Sequence, residues 1–143
     1  MKNRKAKTED FDKLIDIRIR AMKPSLEKVG RFDKNRATER FRNSFIPEKT
    51  IIATKKDEIL GFYMITMCEE HIFLNHLYVE PKFQNNGIGK MLLEQIKEIA
   101  IEHNKSIELE ALKQSLANDF YCKNGFKKIG ESDFDNLYHW EQV

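Results

Sequence analysis

The sequence predicts a single mixed α/β domain of about seven strands and about four helices, and three observations predict it. An apolar run closes the stretch His71–Val79, stops at Pro81, and is followed, after Gln84-Asn85-Asn86-Gly87-Ile88-Gly89, by an amphipathic segment: strand, tight turn, helix. Two runs just before it, residues 50–54 and Glu58–Met67, are joined by the polar turn Lys55-Lys56-Asp57 and read as an antiparallel meander. The length of 143 residues with 41% apolar side chains suits one domain spanning residues 1–143 around one core.

Taken in order, residues 3–7 are too polar to mark a strand by pattern. Thr8 then serves as an N-cap, with Phe11, Leu14, Ile15 and Ile19 at helical spacing and Glu9, Asp10 and Asp12 near the positive end of the helix. This predicts a helix over residues 8–22, stopped by Pro24 and followed by a loop or short turn over 25–31. Asp33 caps a second helix over 34–45, apolar at Ala37, Phe41 and Phe45, and Pro47 closes it. The central helix follows the glycines, with Ile88, Leu92, Ile96, Ile99 and Ala100 on one face. Ser106–Leu112 reads as a strand, residues 115–124 as a helix stopped by Gly125, and residues 126–129 and 134–140 as the last two strands.

Composition narrows the function classes. No apolar run approaches the ~20 residues that span a bilayer, and Met1-Lys2-Asn3-Arg4-Lys5 leads into charged residues, so a soluble, unexported, cytoplasmic protein without a membrane partner is expected. Cys68 and Cys122 are too few for a disulfide framework and form no metal-ligand spacing with the four histidines, so reduced thiols and no metal are expected. Cys122 as a nucleophile stands beside the simpler reading of a small packed side chain.

The net charge of +2 hides a split: residues 1–50 carry 15 Lys/Arg against 8 Asp/Glu, and residues 51–143 carry 10 against 15. The basic half is interleaved with acids along helices, which favours solvated faces over a nucleic-acid surface. The acidic half is a hypothetical attractant for a cationic amine.

The turn at residues 84–89 carries the chemistry. Gly87 and Gly89 let a ligand approach the main chain, and the first turn of the following helix leaves N–H groups unpaired, which makes an anion site. A dinucleotide fingerprint needs a third glycine where Leu92 stands, and a P-loop needs Ser or Thr where Met91 stands; both fail.

What remains, Gln-x-x-Gly-x-Gly between strand and helix, resembles the acyl-CoA pyrophosphate loop of the GNAT superfamily of N-acetyltransferases. Leu77-Tyr78-Val79-Glu80-Pro81 before it and Ala117-Asn118-Asp119-Phe120-Tyr121-Cys122-Lys123-Asn124-Gly125-Phe126 after it extend the resemblance over roughly residues 60–129. The resemblance implies the GNAT fold: a single mixed, mainly antiparallel sheet splayed between its fourth and fifth strands, where the pantetheine arm enters like a strand. It implies an enzyme with acetyl-CoA as co-substrate and a small-molecule amine or a peptide as acceptor, as monomer or homodimer, with the amine attacking directly in a ternary complex.

By the same resemblance, the backbone of Leu77 and Val79 meets the pantetheine amides, and Gln84, Asn85, Asn86, Gly87, Ile88, Gly89 and Lys90 cradle the pyrophosphate. Tyr121 matches the general acid. Many relatives carry a Glu base where this chain has Phe73, so His76 becomes the substitute, with Glu80 and Glu110 as weaker options. A cofactor-contacting Asn is replaced by Gln114, which passes that contact to Asn118. Arg18, Met22, Phe32, Tyr138 and Trp140 are candidates to line the acceptor site. The missing carboxylate at Phe73 keeps open a non-catalytic acyl-CoA-binding module, and the basic N-terminal half a nucleic-acid adaptor.

Overall fold

The computed structural model describes residues 1–28 and 30–143. Its elements are β1 (Lys2–Lys5), α1 (Phe11–Lys28), α2 (Lys34–Ser44), β2 (Thr50–Lys55), β3 (Glu58–Met67), β4 (His71–Val79), α3 (Ile88–Glu102), β5 (Ser106–Leu112), α4 (Ala117–Lys123), β6 (Lys127–Glu131) and β7 (Asp135–Trp140). Short 3-10 turns cover Thr8–Asp10, Pro47–Lys49 and Pro81–Phe83. The strands form one open sheet in the order β1-β2-β3-β4-β5-β7-β6. The β4–β5 pair is parallel, and β1–β2, β2–β3, β5–β7 and β6–β7 are antiparallel. Among the described residues, seven strands and four α-helices form the expected mixed, mainly antiparallel sheet, and β4–β5 is its parallel pair. Among the described residues no helix is long and apolar enough to cross a membrane.

One expectation is corrected. The first helix does not stop before Pro24 but runs on to Lys28 with the proline inside it. The ring fixes a φ that is already helical and removes one hydrogen bond, that to the carbonyl of Arg20. Beyond it the helix closes regularly, Arg31 N–H donating to Leu26 O and Gly30 N–H to Glu27 O. The same pair of bonds ends α4, from Phe126 to Tyr121 and from Gly125 to Cys122, where Gly125 is the predicted stop. Residues 2–5 form the first of the expected seven strands, although every side chain in it is exposed. Its four pairs with β2 and the bidentate contact of Arg4 with Asp10, at 2.8 and 2.9 Å, hold it where no apolar pattern does. The Arg4 guanidinium, bonded to the Asp10 carboxylate, holds that group below its ordinary pKa.

The chain divides into two compact units, Met1–Met64 with His76–Gly89, and Ile65–Asn75 with Lys90–Val143. The first is centred on Leu14, Ile17, Phe41, Ile52 and Phe62, all essentially removed from water. Phe41 stacks between Phe11 and Phe45, with ring centroids 5.5 and 5.3 Å away. The second buries Leu92, Leu93, Ile96 and Ala100 of α3, the apolar face read from the sequence shifted by Leu93, together with Ile72, Ile107 and Leu109 of the sheet. The ladder between β4 and β5 comprises three pairs, His71–Ser106, Ile72–Ile107 and Phe73–Glu108.

Candidate active site

In the first unit the end of β4 is tied down and then opened. Glu80 N–H donates to Leu60 O at 2.8 Å, Phe83 N–H to Glu80 O at 2.8 Å and Gln84 N–H to Pro81 O at 3.2 Å. The Gln84 side-chain amide reaches back to Val79 O at 3.2 Å. Gln84 therefore spends its backbone donor and its side chain on closing the turn.

Past Gln84 the pattern changes. Asn85 and Gly87 both adopt left-handed backbone, at φ 69° and 79°, which asparagine tolerates and glycine adopts freely. Among the described residues, the N–H groups of Asn85, Asn86, Gly87, Ile88 and Gly89 donate to no protein acceptor. Lys90, in the first turn of α3, has the same orphan donor by helix geometry. A Cβ placed on Gly87 would meet nothing within 4 Å, so the space in front of this row of donors is open. An oxyanion-bearing group such as the pyrophosphate of coenzyme A fits that row chemically.

His76 lies three residues before the end of the same strand. Its Nε2 is 3.0 Å from Ser44 Oγ, and its Nδ1 is buried without a partner. Phe41 packs edge-on at 5.1 Å and Tyr78 lies at 5.8 Å. Burial first, and the nearby Arg18 charge second, push the imidazole pKa down to about 4. Arg18 is itself only 8% exposed and donates to Ala37 O at 2.9 Å, and its Nε has no partner. Its guanidinium lies 5.8 Å from the Phe41 ring and 5.9 Å from the Tyr78 ring. The Tyr78 hydroxyl meets Met22 Sδ at 3.3 Å. Glu80, an alternative base by sequence, is ion-paired with Arg20 at 2.8 Å.

In the second unit Tyr121 is buried, edge-to-face with Phe120 at 5.2 Å and Phe126 at 5.4 Å and tilted over Tyr138 at 6.2 Å. Asn118, one turn earlier on α4, is fully engaged inside the protein. Its Nδ2 donates to Leu112 O, Ser115 O and Ser115 Oγ at 2.9, 2.9 and 3.2 Å. Its Oδ1 accepts from Asn136 Nδ2 at 2.9 Å and from the Tyr138 hydroxyl at 2.8 Å. Two donors and two lone pairs are all an amide has, so this side chain holds α4 against the end of β5 and against β7. The Cys122 thiol lies 3.9 Å from the Tyr138 hydroxyl, whose pKa is raised, by burial first and by that thiol second. Glu110 is exposed, and Phe73 is half-buried.

Of the candidates for lining the acceptor, Arg18 and Met22 stand beside Tyr78, and Phe32 carries the Lys23 ammonium at 5.4 Å over its ring. Tyr138 belongs to the Asn118 network, and Trp140 packs on Lys97 and Phe126. Ser44, Ser115 and Asn136 were not legible in advance; single polar residues 32, 3 and 18 positions from their partners leave no spacing signal.

An open mixed sheet with a parallel middle pair, and a strand that runs through a glycine turn of unoccupied N–H groups into a helix, define an α/β domain whose central helix opens on a row of main-chain donors. The chain belongs to the GNAT acetyltransferase family: residues 21–139 match the family model described as an acetyltransferase (GNAT) domain. Membership makes it an acyltransferase with acetyl-CoA as co-substrate. The peptidyl-lysine N-acetyltransferase YjaB of Salmonella typhimurium is 29% identical over 136 residues, covering 94% of this chain and 88% of that protein. The protein of the same name from Escherichia coli is 25% identical with 94% and 87% covered. Among solved structures, the PaiA N-acetyltransferase from Thermoplasma acidophilum in complex with coenzyme A shares the fold, with a TM-score of 0.83 over 99% of this chain and 98% of that one, at 22% identity.

Proposed function

We propose that this protein transfers the acetyl group of acetyl-CoA to a primary amine of a small molecule or peptide by direct attack within a ternary complex. The observation that carries the reading is the row of N–H groups from Asn85 to Lys90 that no protein group occupies. It supplies charge-assisted hydrogen bonds for a pyrophosphate in addition to the ~0.3–1 kcal/mol per charge of an exposed helix terminus. The backbone of Leu77 and Val79, past the three-pair ladder, takes the pantetheine amides.

Acetyl-CoA brings a thioester whose carbonyl carbon the amine attacks, the C–N bond forming as the C–S bond breaks. Val79 N–H is the main-chain donor assigned to the developing oxyanion. Tyr121 donates to the departing sulfur. With reference pKa values of ~10 and ~8.5, full proton transfer is uphill by ~2 kcal/mol, so a hydrogen bond to the thiolate is the cheaper service.

His76, neutral at pH 7, keeps Nδ1 enclosed and without a partner near the end of β4. Taking a proton from an ammonium of pKa ~10.4 would cost it about 9 kcal/mol, so it is not the base for that proton and the amine arrives neutral. The amine sheds its proton to water beforehand, and at pH 7 only about one molecule in a thousand has done so. Asn118 serves this reading as the positioning residue that fixes α4, and thus Tyr121.

The test is thiol release from acetyl-CoA over a panel of amines. Turnover is expected, with kcat/KM rising about tenfold per pH unit between pH 6 and 9 and no inflection near 6.5. Absence of turnover together with tight coenzyme A binding would overturn it.

A further inference from the structure

Between α1 and α2 of the first unit lies a shallow cleft of about 30 Å³, whose lining includes Arg18, Arg31, Arg36, Arg40, Met22 and Asp33. Four arginines and one carboxylate residue thus line it. That carboxylate is already used: Asp33 Oδ1 accepts from the Arg36 backbone N–H at 3.0 Å as the cap of α2. Arg4, Arg20 and Arg42 each sit within 3.3 Å of an acidic partner. Among the described residues, no ion pair is formed by Arg18, Arg36 or Arg40.

Arg18 is the informative member. It is more than nine-tenths buried, donates only to a neutral carbonyl, and keeps Nε without a partner. A buried cation with no carboxylate is an unfavourable arrangement, and the ring faces of Phe41 and Tyr78 offset only part of it. An incoming anion would complete it. Two wall residues of the cleft also pack on β4: Met22 touches the Tyr78 hydroxyl and Arg18 lies over the Tyr78 ring, one residue from both Leu77 and Val79.

We propose that this cleft binds an anionic group of the acceptor, a carboxylate or a phosphate, so that the preferred acceptor is an amine carrying an acid near its nucleophilic nitrogen. The inference rests on the acetyl-transfer reading above and specifies its substrate. Arginine forks match both acids, and a cleft this shallow meets an acid group at its mouth and encloses no large ligand. The acid can belong to a small molecule or to an acidic side chain beside the amine of a peptide.

The test compares acceptors in matched pairs that differ only in the acid. The pairs are free amino acids against their amides, phosphoethanolamine against ethanolamine, and lysine peptides flanked by Asp or Glu against Asn or Gln. The acid member is expected to show a kcat/KM about tenfold higher or more, as one charge-assisted contact provides. Small acids alone showing the preference assigns a free metabolite as source; the peptides alone showing it assigns an acidic sequence context.

The exposed pair Arg36→Glu/Arg40→Glu should erase the preference and leave the KM for acetyl-CoA unchanged. Inorganic phosphate should raise the melting temperature of the native chain but not of that variant, whether or not coenzyme A is saturating. Equal rates within every pair, or a variant that slows both members alike, would overturn the inference while leaving acetyl transfer intact. Loss of the phosphate effect on adding coenzyme A would overturn it by assigning the cleft to the cofactor. No turnover with any amine would instead sink acetyl transfer, and the acceptor assignment with it.

Discussion

Around His76 burial outruns pairing: Nδ1 of the ring and Nε of the neighbouring Arg18 are both enclosed without a partner. Around Asn118 the reverse holds, since one amide bonds Leu112, Ser115, Asn136 and Tyr138, and only Asn136 Oδ1 is left over. Enclosing a polar atom without a partner is unfavourable by about 1–3 kcal/mol, so the first cluster stores instability and the second provides cohesion. Stored instability of this kind is what binding sites carry, because a ligand can relieve it. The contrast therefore separates a place that awaits something from a place that is finished.

The largest effect should come from breaking the finished cluster. Asn118→Ala strips partners from the Tyr138 hydroxyl and the Leu112 carbonyl, and urea unfolding should register a loss of about 3 kcal/mol or more. Activity at low temperature should fall further than the folded fraction does, in kcat, because α4 no longer holds Tyr121 in place.

Next comes acid applied to the unfinished cluster. The unfolded His76 takes a proton below about 6.5, while the folded one resists until about 4, so the unfolded state binds more protons in that window. Stability is full above pH 6.5 and should decline by up to about 3 kcal/mol as pH falls to 4. Denaturation at pH 7.0, 5.5 and 4.5 would show it, and His76→Phe should flatten the slope.

Tyr121→Phe leaves the aromatic packing in place and removes one hydroxyl. Its kcat should drop about 100-fold with coenzyme A affinity unchanged. An unaltered kcat would remove Tyr121 from the chemistry. The smallest effect belongs to the loop: Gly87→Ala meets no atom but adds a Cβ at φ 79°, so about 1 kcal/mol of stability should be lost. Calorimetry should find coenzyme A binding weakened by more than that strain accounts for.

The ends of β3, β4 and β5 were readable because each is an apolar run bounded by turn residues, and α2 because Asp33 caps it. The glycine loop was readable for a related reason: glycine spacing announces where main chain is left open. Pro24 misled because the rule for stopping a helix weighs one lost hydrogen bond and not the closing bonds beyond it. The environment of His76 was illegible. Ser44 and Arg18 reach it from 32 and 58 positions away, and neither leaves a periodic trace. Asn118 was marked by resemblance, but nothing local to it shows that both its lone pairs would be taken from β7.

The outermost strand offers a last consequence. β1 contributes Lys2, Asn3, Arg4 and Lys5, all exposed, and covers Thr50-Ile51-Ile52-Ala53-Thr54 of β2, whose composition favours stacking against copies of itself. It works as a charged bumper strip. Two molecules approaching along that flank repel one another at low ionic strength, and concentrated salt, by screening the repulsion, is the condition under which this protein should begin to stick to itself.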